Sequence, residues 1–173
     1  MLSRADFEKL FDEFTASAWR LEIQGVYDEP EEREPLRRFL AGEPDDLAWM
    51  ADWFEWIREI TLAGKAFGRV RVLTDPLTSY QRFELGRLTP PALAAGEDIR
   101  VLTAGRASEL QLPTEDFWLF DDVRVAVMHF GSDGVAGVDL LEDPKAVQPY
   151  RDARQRAWDA AIPFRKWATA QAM

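Results

Sequence analysis

Residues 117–141 read FWLFDDVRVAVMHFGSDGVAGVDLL, and this stretch decides the fold class. Phe117–Phe120 and Val123–Phe130 are apolar runs separated by Asp121-Asp122. Short runs of β-branched and aromatic residues bounded by turn residues read as strands. Gly131-Ser132-Asp133-Gly134 is a tight hairpin signal leading into a third strand, Val135–Leu141. Upstream, Ile99–Leu102 reads as a strand after the turn Gly96-Glu97-Asp98, and Arg69–Leu73 as another, ended by Asp75-Pro76. Ala18–Ile23 alternates at period two and closes at Gly25.

The remaining segments have the period of helices. Phe7, Leu10, Phe11 and Phe14 are spaced for an amphipathic helix over Ser3–Ala16, with Ser3 as N-cap. The acidic, proline-punctuated run from Glu29 to Pro35 starts a short helix through Phe39-Leu40. Leu47–Leu62 carries the strongest pattern: Leu47, Met50, Trp53, Phe54, Ile57 and Ile60, widened by Trp49 and Trp56 and ended by Gly64. Such a stripe reads as a core or inter-layer helix, with a ligand-stacking face as the alternative. Leu77–Leu88 reads as helical and broken by Thr89-Pro90-Pro91, Ala107–Leu110 as a single turn. A long helix begins near Pro144 and is kinked or ended by Pro163. The expected fold is α/β or α+β: a mixed sheet of about five strands with helices packed on it. We read 1–173 as one domain, with residues 1–66 mainly helical and 67–173 α/β. The first part either packs on the sheet or forms a lobe, and 64–68 is the one plausible boundary.

Composition excludes several chemistries. The chain has 173 residues, 47% of them hydrophobic, no cysteine, one histidine and a formal charge of −10. Thiol nucleophiles, disulfides and Cys-ligated metals are excluded, and no metal or other cofactor is expected. The acidic balance disfavours direct nucleic-acid binding. No stretch approaches the about 20 apolar residues of a spanning helix, and no signal peptide is evident, so a cytoplasmic protein without membrane contact is expected. Gly-rich phosphate loops, nucleophile elbows and metalloprotease helices are missing.

Two groups of residues are candidates for function. On a helical segment, Tyr80, Glu84 and Arg87 share a face, with Arg82 close by. With Arg69 and Arg71 from the preceding strand and Arg100 from the next, they form a ligand-binding cluster for a small anion, since guanidinium groups match carboxylate and phosphate geometry. The bland alternative is a salt-bridge network on a solvated face. If the protein is an enzyme, His129, Glu84 and Tyr80 are the catalytic candidates, His129 being oriented by Asp121, Asp122 or Asp133. Asp116, Asp121, Asp122, Glu97 and Asp98 are better explained by turn chemistry than by a metal. The acidic run 28–34 reads as a solvated edge or a dock for a basic partner.

Four runs, Ser17–Glu22 (SAWRLE), Arg69–Val72 (RVRV), Ala95–Arg100 (AGEDIR) and Asp116–Asp121 (DFWLFD), occur in this order. Together they resemble an actinobacterial family of unknown function, often encoded beside helix-turn-helix regulators. The likeness spans nearly the whole chain and carries no catalytic residues. In residues 69–164, the order of elements around FWLFDD and AWDAAIP is similar to phospholipase D-like modules. Active members of that group carry His-x-Lys, but His129 is followed by Phe130 and Gly131. One histidine per chain would complete a two-histidine site only in a homodimer. These resemblances imply a non-catalytic cytoplasmic regulatory module that binds a protein partner, such as a helix-turn-helix regulator, or a small anionic ligand. The alternative is an enzyme acting on a small anionic or phosphate-bearing substrate.

Overall fold

The computed structural model describes residues 1–172. Its frame is one mixed sheet of seven strands in the order β6-β5-β4-β1-β2-β3-β7. The meander was legible: β4 (Phe117–Phe120), β5 (Arg124–Gly131) and β6 (Gly134–Leu141) pair antiparallel in sequence order. β1 (Ser17–Glu22) lies mid-sheet, antiparallel to β4 and parallel to β2 (Ala66–Leu73), which runs parallel to β3 (Asp98–Thr103). The sheet thus exceeds the expected five strands. One addition, β7 (Ile162–Pro163), is two residues long and too short to show any period.

Several helix boundaries differ from expectation for identifiable reasons. Leu47 sits at φ 58°, so the tryptophan-rich segment opens with the turn Ala48–Met50, and its helix α3 runs Ala51–Leu62. Thr89-Pro90-Pro91 does not break the chain's helical path. The helix α4 (Ser79–Phe83) widens into a π-turn at Glu84–Leu88 and continues as α5 (Thr89–Ala95). Proline is tolerated in a first helical turn, where its missing N–H has no partner to lose. The remaining helices are α1 (Arg4–Glu13), α2 (Arg33–Leu40), α6 (Ala104–Glu109), α7 (Pro144–Ala160) and α8 (Phe164–Gln171).

Each face of the sheet buries a different cluster. Trp19, Leu21, Val70, Phe117, Leu119 and Val125 pack with Val147 and Ala157 of α7. The opposite face contributes Ala18, Phe67, Ile99, Val101, Trp118 and Met128, which meet α1, α3, α5 and α8. Two acidic turns tie the frame together. Asp121 and Asp122 both take φ above +50°, closing a two-residue turn that returns Val123 N–H to Phe120 O at 3.0 Å. The Asp121 carboxylate accepts from the N–H groups of Thr15, Ala16 and Ser17, fixing the link between α1 and β1. At the far hairpin, Arg33 donates to Ser132 O and Asp133, clamping α2 onto the β5–β6 turn. Among the described residues, no helix is long and apolar enough to cross a membrane.

Candidate functional site

The site begins with the alternation of β1 and β2. Parallel register sets Arg20 beside Arg69 and Glu22 beside Arg71. All four side chains project onto the face covered by α1 and α3, where they are almost wholly removed from water. Isolated charges are too costly to bury, so each must find a counter-charge. Glu22 is the hub: it takes Arg20 and Arg69 at 3.2 Å each, and Arg71 as well. Arg71 also reaches Glu84 of the π-turn, and Arg69 reaches Glu97, placed by the turn at Gly96. That glycine is required: its φ is 121°, and a Cβ there would strike Thr61. Asp116, fully buried, completes the array by accepting from Arg20 at 3.2 Å, Tyr27 Oη at 2.6 Å and Ile23 N–H at 2.9 Å. Trp118 lies against the guanidinium groups of Arg20 and Arg69, 5.8 and 5.6 Å from its ring centre.

Above this ionic floor is a cavity of about 630 Å³. Its walls are aromatic and apolar, with Phe7 and Phe11 from α1, Trp49, Met50 and Trp53 at the start of α3, and Tyr80 from α4. Its mouth carries Arg4, Glu8, Glu29 and Glu31. The 30–32 turn leans over the chamber, because Tyr80 Oη donates to Glu32 Oε2 at 2.6 Å.

The carboxyl groups separate electrostatically. Burial pushes Glu22 up, but Arg71, Arg20 and Arg69 outweigh it and hold the carboxyl down at about 2. Burial drives Glu84 up to about 8, because Arg71 is its one close cation and is shared with Glu22. Burial likewise raises Glu32 to about 7, against the opposing Tyr80 hydrogen bond, and lifts Asp116 and Glu29 above the usual range. Tyr80 and Tyr27 are pushed up by burial, so both are hydroxyl donors.

Of the residues singled out from sequence, Arg69, Arg71, Tyr80 and Glu84 line the cavity. Arg82 does not: it is exposed and donates to Leu77 O and Ser79. Arg100 belongs to the other face, where it stacks 3.6 Å from the Trp158 ring centre, because β3 turns Ile99 and Val101 to the α5 side. Arg87, swung away by the π-turn, stacks on Phe39 and bonds Glu43 O. His129 does not line the cavity; it meets Asp139 of β6 at 2.9 Å, while neighbouring Met128 is a lining residue. Arg20, Glu22 and Tyr27 were missed. Each buried arginine already holds two carboxylates. Among the described residues, no group of three or more His, Asp or Glu residues is placed to hold a metal ion.

Fold and cavity define a mixed α/β domain with a buried ionic floor under an aromatic chamber. The chain belongs to a family described as a domain of unknown function (DUF6879), whose profile matches residues 5–169. No curated protein matches the chain.

Proposed function

We propose that this protein is a non-catalytic binding module for a small organic molecule held in the chamber between α1, α3 and the sheet. The observation that carries this reading is the cavity of about 630 Å³, walled by Trp49, Trp53, Phe7 and Tyr80 over a polar floor. Ligand sites are of this size, mostly apolar with a few convergent polar groups. The lining contains no histidine or cysteine, and the floor arginines are neutralised by carboxylates, which favours binding over chemistry.

In this reading the ligand-bound domain acts in the cytoplasm on a protein partner such as a helix-turn-helix regulator, which would supply any DNA contact. A thermal-shift screen of small molecules on the full chain tests the binding. Binders raise the melting temperature in proportion to occupancy. Ala136→Trp, at the exposed mouth, should abolish the shift without lowering the unliganded midpoint. A screen in which nothing stabilises the wild type, or in which A136W responds equally, contradicts the proposal.

A second reading rests on Glu84 and Glu32, whose raised carboxyls line the chamber and suit general acid–base work. Under it, Glu84→Gln abolishes turnover of a bound compound while leaving its affinity within about threefold; under the first reading, no bound compound is ever turned over.

A further inference from the structure

The polarity of the chamber narrows the class of ligand. Four arginines line it against seven glutamates. The three buried arginines are held by Glu22, Glu84, Glu97 and Asp116, and Arg4 at the mouth is held by Glu8 and Glu31. Every cation of the lining therefore already has a carboxylate partner, although Nε of Arg20 and of Arg71 donates to no described residue.

Carboxyl oxygens are left without partners as well. Glu84 Oε2 and Glu97 Oε1 take the arginines, while Glu84 Oε1 and Glu97 Oε2 accept no hydrogen bond from any described residue. Both side chains are more than nine-tenths buried, 7% and 1% exposed, and both line the chamber. Nearer the mouth, Glu32 receives Tyr80 on one oxygen only, and the Glu29 carboxylate has no partner among the described residues. The rings of Phe7, Trp49, Trp53 and Tyr80 line the same chamber. Carboxylates backed by ring faces are the two elements that hold an organic ammonium or amidinium, the rings attracting a cation through their quadrupole.

We propose that the ligand is an organic cation, an amine or amidine on an aromatic or other apolar body, whose charged head is held by the unpaired carboxyl oxygens of the chamber. This rests on the reading of the cavity as a binding site and names its ligand class. Burial leaves Glu84 largely, and Glu32 in part, protonated near pH 7 in the free protein. The charges facing Glu84 are Arg71, Glu22, Glu32 and Arg20, with the Tyr80 hydroxyl beside it; those facing Glu32 are Glu22, Glu29 and Arg71, with Tyr80 donating to it. Neither carboxyl has a cation to itself. A bound cation supplies one, so the carboxyl ionises and its proton passes to the buffer.

The test is calorimetric titration of the full chain near pH 7 with two matched sets of probes: benzamidine, benzamide and benzoate, and phenethylamine, phenethyl alcohol and 3-phenylpropionate. Each cation should bind at least tenfold more tightly than its neutral and anionic counterparts. Titration in two buffers of different ionisation enthalpy should reveal proton release with the cations and none with the neutral probes. Glu29→Gln and Glu32→Gln, both near the mouth and the latter retaining its contact with Tyr80, should weaken the cations at least fivefold and leave the neutral probes unchanged. Tighter binding of the neutral or anionic members, or cation binding with no proton release and no response to either variant, overturns the ligand class while leaving the chamber a binding site. If no member of either set binds, both the class and the binding reading fall.

Discussion

The two faces of the one sheet solve burial in opposite ways. Under α7, Trp19, Leu21, Val70, Phe117 and Val125 make an apolar layer, at whose edge Arg100 stacks on Trp158, donates to its carbonyl and pairs with Asp98. Under α1 and α3, the same strands present Arg20, Glu22, Arg69 and Arg71 to an aromatic chamber. The first face gains stability from the area it removes from water. The second gains little, because burying paired charges is close to neutral at best. Under the proposed binding role, the ionic face is kept for what it binds.

This contrast is open to direct attack. The largest effect should come from Glu22→Ala, which leaves three buried guanidinium groups without their shared carboxylate. We expect a loss of about 3–5 kcal/mol or failure to fold, read by urea denaturation. Phe117→Ala on the apolar face should cost a similar amount, about 3–5 kcal/mol, through the cavity it leaves. The faces then separate by pH, because F117A shifts the whole stability–pH curve while E22A changes its shape.

Between pH 6 and 8, stability should respond to pH through the ionic face, while at acid pH surface carboxyls such as Glu34 and Asp121 add to the response. Glu32 and Glu84 have folded pKa values of about 7 and about 8, so the folded chain holds these protons more tightly than the unfolded chain. The stability they confer is full below the ordinary glutamate range and is lost as pH rises through those values. Glu22, held at about 2, acts oppositely: its contribution is full above the ordinary range and is lost as pH falls towards 2. Between pH 6 and 8 we expect a decline on the order of 2 kcal/mol, and Glu84→Gln should flatten it. A flat profile in the wild type would break the assignment of protons. Smaller still, Arg100→Ala should cost about 1 kcal/mol by removing its stack on Trp158. Arg82→Ala, at an exposed position, should stay within about 0.5 kcal/mol in the same assay.

The sequence made one of these faces easier to read than the other. In residues 117–141 the strands announce themselves because apolar runs and turn residues alternate sharply. β7 has two residues and no period to announce. Arg69 and Arg71 stood out because they interrupt a run of valines. Arg20 and Glu22 did not, since alternation with Trp19, Leu21 and Ile23 is the pattern of any strand with one wet face. Only the parallel register, which sets Arg20 beside Arg69 and Glu22 beside Arg71, reveals that the charged side is covered. Arg100 misled for the same reason in reverse, its strand alternation being correct and its face unknown. Glu32 and Trp49 lay inside segments whose bland explanations, a solvated edge and a core stripe, were sufficient until the chamber brought them together.

Under the proposed binding role, the ionic floor is retained for binding and not for stability. Arg69→Met with Glu97→Leu removes one buried cation and one buried anion together, leaving Glu22 with Arg20 and Arg71. Benzamidine titrated into this double variant, with the melting temperature taken on the same sample, puts the claim to its most direct test. The account predicts a midpoint equal to or above that of the wild type and benzamidine affinity reduced at least tenfold. A midpoint well below the wild type's, with benzamidine still bound as tightly, would contradict it.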